Sequence, residues 1–260
     1  MIAKVTIVIP TLNRADKLPR AIESALVQTV PCEIIVVDHG STDHTSEVAN
    51  QYNSRITYLR RERDFGPHFC WLEGVLYSTG DFVHLQFDDD WIEDNFIEAC
   101  MQVMDEETGF SFSVARLLTE GDSESNQLLF DQWLPDTGVY PAFRIEKKLI
   151  RNVVSPGCCL FRRQILLDSL YQGQLPLPLG KYHGVGPDQF ASLLSILRYP
   201  KVGFVKEPLS VFMAHPGSIT IDAASDIKKK AELKKAYKDV ARFYKELKAI
   251  RLYRKIFGVR

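Results

Sequence analysis

Along the first hundred residues the apolar positions change period from one segment to the next. Val5 to Ile9 is a short β-branched run, the pattern of a strand buried on both faces. From Ala15 to Val27 the apolar residues Leu18, Ile22, Ala25 and Leu26 fall at helical spacing. Glu33 to Val37 predicts a second buried strand. The turn Gly40-Ser41-Thr42-Asp43 follows, then a helix from Thr45 to about Tyr52 and a third strand from Ile56 to Leu59. Phe69 to Tyr77 reads as a helix, and Phe82 to Phe87 as a fourth strand that runs into Asp88-Asp89-Asp90.

Strands alternating with helices predict βαβ units and a mostly parallel, Rossmann-like α/β sheet flanked by helices. In such sheets ligands bind beyond the carboxyl ends of the strands. Three polar clusters occupy that place: Pro10-Thr11-Leu12-Asn13, Asp38 to Asp43, and Asp88 to Asp90. The rest of the chain is less regular. Phe110 to Leu118 reads as a strand, Glu120 to Asn126 as a polar loop, Cys158 to Phe161 as a strand and Arg163 to Tyr171 as a helix. Gln172 to Gly186, rich in glycine and proline, predicts a mobile loop near a site. Asp188 to Leu197 is helical, and Val202 to Val205 and Leu209 to Phe212 are short strands. The simplest division is one catalytic domain over residues 1–226 and a helical tail over 227–260.

Composition narrows the class. A chain of 260 residues, 45% hydrophobic and 25% charged, has room for one large domain and is not a disordered, collagen-like or disulfide-framework protein. The cysteines, Cys32, Cys70, Cys100, Cys158 and Cys159, form no CxxC pair, which argues against zinc or a redox dithiol. The amino terminus lacks the features of a signal peptide, and no apolar run approaches the roughly 18–20 residues of a spanning helix. A cytoplasmic protein is expected. The formal net charge of −1 conceals a segregation. Residues 228–260 carry 13 Lys and Arg against 3 Asp and Glu, a net +10, and the other residues hold 19 against 30, a net −11.

Consecutive carboxylates repel, so the Asp88-Asp89-Asp90 triplet is costly unless cations or donors stabilise it. A hard divalent ion such as Mg²⁺ or Mn²⁺, bridging to phosphate oxygens, is its natural occupant. The plainer alternative is an acidic turn that caps a helix starting at Trp91. Asp188 and His215 have plain alternatives too, as a helix N-cap and as a solvated loop histidine.

The segments VTIVIPTLNR, EIIVVDHGSTD, FVHLQFDDDW, GCCLFRR, GPDQF and FMAHPGSIT, in that order, resemble the inverting family 2 glycosyltransferases over roughly residues 4–220. The resemblance implies a GT-A nucleotide-sugar-binding fold, a divalent metal (Mn²⁺ or Mg²⁺) on an Asp-x-Asp type motif, and transfer with inversion. By it, Pro10, Thr11, Asn13, Asp38, His39 and Asp88 line the nucleotide-sugar pocket. Asp89 or Asp90 coordinates the metal beneath the diphosphate, with Asp89 also counted among the donor-binding residues. His215 approaches metal or diphosphate, and Asp188 is the catalytic base. The sequence departs from the family pattern at three places. His39 stands where a second acid is usual, Asp64 where an asparagine precedes glycine, and Cys70-Trp71-Leu72 where Ala-Arg-Asn is common. The arginine expected near the nucleotide is absent, and His68 is its candidate substitute. These changes point to altered donor recognition, with a UDP-sugar as the first expectation.

From Ile227 to Phe257 the apolar residues recur mostly three or four apart, as in one amphipathic helix or two with a break. Such a helix packs on the catalytic domain with a solvated basic face, or it lies on an anionic membrane surface. No groove-reading motif accompanies the charge, so nucleic acid is not an expected partner. The family's acceptors favour the membrane: a saccharide or lipid-linked saccharide, extended in surface polysaccharide synthesis at the inner face of the cytoplasmic membrane. The rivals are a catalytically silent nucleotide-sugar-binding scaffold of a membrane synthase complex and a nucleotidyltransferase. The second lacks the glycine-rich basic loop that holds triphosphates.

Overall fold

Strand β1 (Val5–Thr11) is buried at every position because it has neighbours on both sides and helices above and below. It pairs in parallel with β2 (Cys32–His39) and β4 (Phe82–Leu85), and β2 pairs in parallel with β3 (Thr57–Arg61). Helices α1 (Leu18–Leu26), α2 (Thr45–Asn50) and α3 (Pro67–Tyr77) make the crossovers. The computed structural model describes residues 4–170, 186–215 and 227–258. Of the loop expected over Gln172 to Gly186 only Gly186 is among them, and the histidine motif beyond His215 also lies outside them.

The second half adds β5 (Trp91–Ile92), α4 (Phe96–Gln102), β6 (Thr108–Thr119), β7 (Asp122–Leu129), β8 (Gly138–Pro141) and α5 (Phe143–Arg151). These are followed by β9 (Cys159–Arg162), α6 (Arg163–Leu170), α7 (Pro187–Arg198), β10 (Lys201–Ala214) and α8 (Ile227–Phe257). The sheet order is β3-β2-β1-β4-β9-β6-β10-β5, with β7 on β6 and β8 on β10. Strands β3, β2, β1, β4, β6 and β10 run one way, and β9, β5, β7 and β8 run against them. The mostly parallel sheet expected from the alternating periods is therefore present.

Successive strand residues point to opposite faces, and this divides the core. Val8, Ile35, Val37, Val83 and Leu85 pack toward α3, α5, α6, α7 and α8. Ile7, Ile9, Ile34, Val36 and Phe82 pack toward α1 and α4. The cysteines are free, and all but Cys32 are buried. Helix α8 joins the first of these layers: Val240 and Tyr244 are buried within it, and Phe243 packs on Phe190 of α7 with ring centroids 5.6 Å apart. Its last turns diverge from the body, leaving Ile250, Leu252, Tyr253, Ile256 and Phe257 exposed.

Three expectations are corrected. The polar loop at Glu120 to Asn126 is the turn of a hairpin and the start of its second strand, because β7 is an antiparallel strand on β6. The two short strands at 202–205 and 209–212 are one strand, β10, whose register against β6 slips around Pro208; proline has no N–H for the ladder, so the irregularity falls there. No helix starts at Trp91. Trp91 and Ile92 pair with Val211 and Ser210 of β10, and α4 begins at Phe96.

Candidate active site

Parallel register brings the first two polar clusters level. Thr11 at the end of β1 is opposite Asp38 of β2, and Asp38 is opposite Arg60 of β3. Beyond the strand ends the loops are tied together. The Asn13 amide donates to Ser41 Oγ at 2.9 Å, and Asn13 Oδ1 accepts from the Thr42 amide at 2.8 Å. Asn13 does so from the left-handed region, at φ 54°, which asparagine tolerates better than most residues. Gly40 sits at φ 81° with Arg63 behind it; a Cβ there would lie 2.6 Å from Arg63 Cα. Pro10 is buried within β1, so its contribution to a pocket is backbone shape.

Asp38 is fully buried and fully engaged. Oδ1 accepts from the Ser41 amide at 2.9 Å and Oδ2 from the Tyr58 hydroxyl at 2.7 Å, with Arg60 Nε at 3.6 Å. His39, also buried, places Nε2 3.1 Å from Glu73 of α3, which is paired in turn with Arg61. Thus an acid does stand beside the position where the family pattern has one, reached from another element. The His39 Nδ1 is buried with no partner among the described residues.

The acidic triplet follows β4. Burial pushes the Asp88 carboxyl up to about 7, the Asp89 charge adds to this, and the Thr11 hydroxyl and Leu12 amide pull it down. Asp89 Oδ2 lies 2.9 Å from Nε2 of buried His215, so the late histidine and the triplet meet across 126 residues. Asp90 Oδ1 instead accepts from the Met213 amide at 2.9 Å, and burial followed by the Asp89 charge holds its carboxyl well above the usual range. The triplet thus divides by contact: Asp88 toward β1, Asp89 toward His215, Asp90 into the β10 backbone.

A divalent cation of the Mg²⁺ or Mn²⁺ kind takes one or two protein carboxylates and fills its shell with water and phosphate oxygens. Asp89 and His215 offer a carboxylate and an imidazole side by side, with Asp90 adjoining. Among the described residues no three His, Cys, Asp or Glu side chains gather into a complete cage. The carboxylates and imidazole present are of the donor types that such an ion takes.

Two candidates make their contacts elsewhere. His68, buried in the first turn of α3, turns Nε2 to the carbonyl of Leu170 at the end of α6. The arginine position of the family pattern is occupied by Trp71, which is buried against Phe87 with ring centroids 5.5 Å apart. Asp188 opens α7 behind Gly186, whose φ of 102° aims the chain into the helix. Its Oδ1 accepts from the amides of Gly186 at 2.8 Å and Gln189 at 2.7 Å. Its Oδ2 accepts from the Tyr237 hydroxyl of α8 at 2.9 Å. Burial raises the carboxyl to about 6, and these donors pull against it. The N-cap of α7 is Gly186, so the plain alternative of Asp188 as the cap is not met; Asp188 lies in the first turn and accepts from the amides on either side of it. Tyr237, Tyr58, Arg60 and Glu73 had no signal that tied them to the site, since each reaches it through tertiary packing.

The fold and this grouping define an α/β protein of the GT-A type. The profile of Glycosyl transferase family 2 matches residues 6–170, and the chain belongs to that family. The solved structure of Staphylococcus aureus TarS, residues 1–349, in complex with UDP matches with a TM-score of 0.64 at 18% identity, over 88% of this chain and 68% of that one. A mannosyltransferase from Pyrobaculum calidifontis, in complex with GDP-Man and Mn²⁺, matches with a TM-score of 0.57 at 16% identity, over 95% of this chain and 75% of that one. Among curated relatives, the Streptococcus pneumoniae glycosyltransferase GlyA is 31% identical over 99 residues, covering 36% of this chain and 14% of that protein. The Yersinia enterocolitica undecaprenyl-phosphate 4-deoxy-4-formamido-L-arabinose transferase is 37% identical over 90 residues, covering 32% of this chain and 28% of that protein. The matching stretches are thus small parts of these longer relatives.

Proposed function

We propose that this protein is a metal-dependent inverting glycosyltransferase that moves a sugar from a nucleotide-sugar donor to a saccharide or lipid-linked saccharide acceptor in surface polysaccharide synthesis. The observation that carries this is the meeting of Thr11, Asp38 and the Asp88-Asp89-Asp90 triplet at the carboxyl ends of adjacent parallel strands, with His215 brought to Asp89. The TarS and mannosyltransferase structures hold UDP and GDP-Man, which supports a nucleotide-sugar donor, a UDP-sugar first.

Asn13, Asp38, His39 and Asp88 belong to the donor side of the site, where Asp38 and the tied loops shape the floor for base and ribose; His68, turned to the Leu170 carbonyl, is not among them. Asp89 and His215, with Asp90 adjoining, would hold Mn²⁺ or Mg²⁺, which when bound supplies Lewis acidity to the departing diphosphate. Asp188 removes the proton from the acceptor hydroxyl. The acceptor oxygen then bonds to the anomeric carbon from the face opposite the nucleoside diphosphate, the anomeric C–O bond breaks, and the diphosphate leaves with its electron pair. No covalent enzyme intermediate is required.

The catalytic unit of residues 1–226 is joined by the first half of α8, which packs into its core, and the far end of α8 docks on anionic membrane. There Ile250, Leu252, Tyr253, Ile256 and Phe257 are exposed among Arg251, Arg254 and Lys255, apolar side chains for the interface and cations for phosphate head groups. The Yersinia relative's undecaprenyl-phosphate substrate supports a lipid-linked acceptor. Among the described residues no helix is long and apolar enough to cross a membrane.

Asp188→Asn tests the reading. It should abolish sugar transfer while leaving nucleotide-sugar affinity within about threefold of wild type, because the carboxylate acts on the acceptor side. Turnover near the wild-type rate would remove Asp188 from its role.

A further inference from the structure

We propose that Tyr237 of α8 positions the Asp188 carboxylate for proton removal from the acceptor, so that the C-terminal helix completes the catalytic site. This rests on Asp188 being the base, as read above.

The two oxygens of Asp188 have different employment. Oδ1 is tied to the backbone of its own helix start by the Gly186 and Gln189 amides, at 2.8 and 2.7 Å. Moving it would break both contacts at the start of α7. Oδ2 is therefore the oxygen available to an acceptor hydroxyl. Two amides on one oxygen anchor that atom but leave the carboxylate plane to turn about it. The Tyr237 hydroxyl, 2.9 Å from Oδ2, fixes the second point and so the plane. A carboxylate oxygen accepts at two lone-pair sites, so Oδ2 retains one for the acceptor.

Tyr237 is itself held. One turn further along α8, Val240 is buried, Phe243 packs on Phe190, and the Tyr244 hydroxyl donates to Glu146 of α5 at 2.8 Å. Burial and the Asp188 charge push the Tyr237 phenol far up, so it remains protonated and donating throughout the working range. A donor to the ionised form favours that form. The hydroxyl therefore offsets part of the burial that raises Asp188. Of the charged groups on the packed elements, Asp168 of α6 pairs with Arg198 of α7, Glu146 of α5 with Lys248 of α8, and Asp239 with Arg242 within α8. Among the described residues, the groups hydrogen-bonded to the Asp188 carboxylate are the Gly186 and Gln189 amides and the Tyr237 hydroxyl.

The test is the pH profile of kcat/KM for Mn²⁺-dependent release of nucleoside diphosphate from the best-bound nucleotide sugar, in the full chain. Wild type should show an acid limb near pH 6, the value set at Asp188, and Asp188→Asn should be silent. Tyr237→Phe keeps the ring and its packing, and should move the limb up by about one pH unit. It then loses about fivefold at pH 6 and little at pH 8. Tyr237→Leu should move it the same way, which separates the hydroxyl from ring packing. An equal loss at every pH, or an unmoved limb, overturns the positioning role while leaving Asp188 as base. A wild-type profile without the limb, or an active Asp188→Asn, overturns the base assignment and this inference with it.

Discussion

At the scale of single residues, Asp188 faces opposed demands. As the proposed base it must be ionised at working pH, yet burial favours the neutral acid and lifts the carboxyl to about 6. The native state thus binds this proton more tightly than the unfolded chain does. Its stability falls as pH rises from about 4 to 6, and the cost persists above that range. A shift of about two units corresponds to a ceiling near 3 kcal/mol. Asp188→Asn should therefore melt a few degrees higher than wild type at pH 7.5 and at nearly the same temperature at pH 4, while losing transfer. An equal difference at both pH values would mean that the charge is not what costs stability. The candidate residues at strand ends were legible because consecutive carboxylates after a buried run have few bland explanations. Tyr237 was not, since its link to Asp188 joins two elements 49 residues apart and leaves no local pattern. The acid beside His39 was hidden in the same way, being Glu73 on the face of another helix.

Among elements, the βαβ half was readable because strands buried on both faces admit only apolar runs and helices impose their own period. What escaped lay at edges. Strand β7 is largely exposed and needs no apolar alternation, so its residues read as loop. Helix α5 buries only Ile145 and Leu149, one turn apart, too small a signal to stand out. The Gly40 turn is the most constrained link between fold and site. Its φ of 81° and the Arg63 backbone behind it leave no room for a side chain. Gly40→Ala should cost about 2–3 kcal/mol, lowering Tm by roughly 4–10 °C. It should also weaken donor binding, since the Asp38 and Asn13 contacts share that loop. An unchanged melting curve would show that the turn relaxes freely. The end of α8 carries a separate expectation. Replacing Arg251, Arg254 and Lys255 with Glu should weaken binding to vesicles containing phosphatidylglycerol by about a hundredfold or more, from roughly 1 kcal/mol per basic residue near the surface. Equal sedimentation of variant and wild type with vesicles would remove the docking role.

For the whole molecule, the near-neutral total separates into a body of net −11 and a C-terminal stretch of net +10. The same helix that ends in exposed apolar and basic residues also reaches Asp188 from its buried half. On the proposed reading, membrane attachment and proton removal would both depend on this one helix. On the proposed reading, the triplet and His215 lie where a cation and a diphosphate would share them, and binding of either would depend on the other. Thermal unfolding with UDP, GDP and their sugars, each with and without Mn²⁺, tests this most directly. At least one nucleotide should raise Tm by roughly 5–10 °C near a hundredfold excess over Kd, because a ligand at that excess adds about 2.7 kcal/mol to the folded state. The increase should need Mn²⁺ and be lost in Asp89→Ala. If no nucleotide shifts the transition with metal present, or the shift is the same without metal and in Asp89→Ala, the account of the site is contradicted.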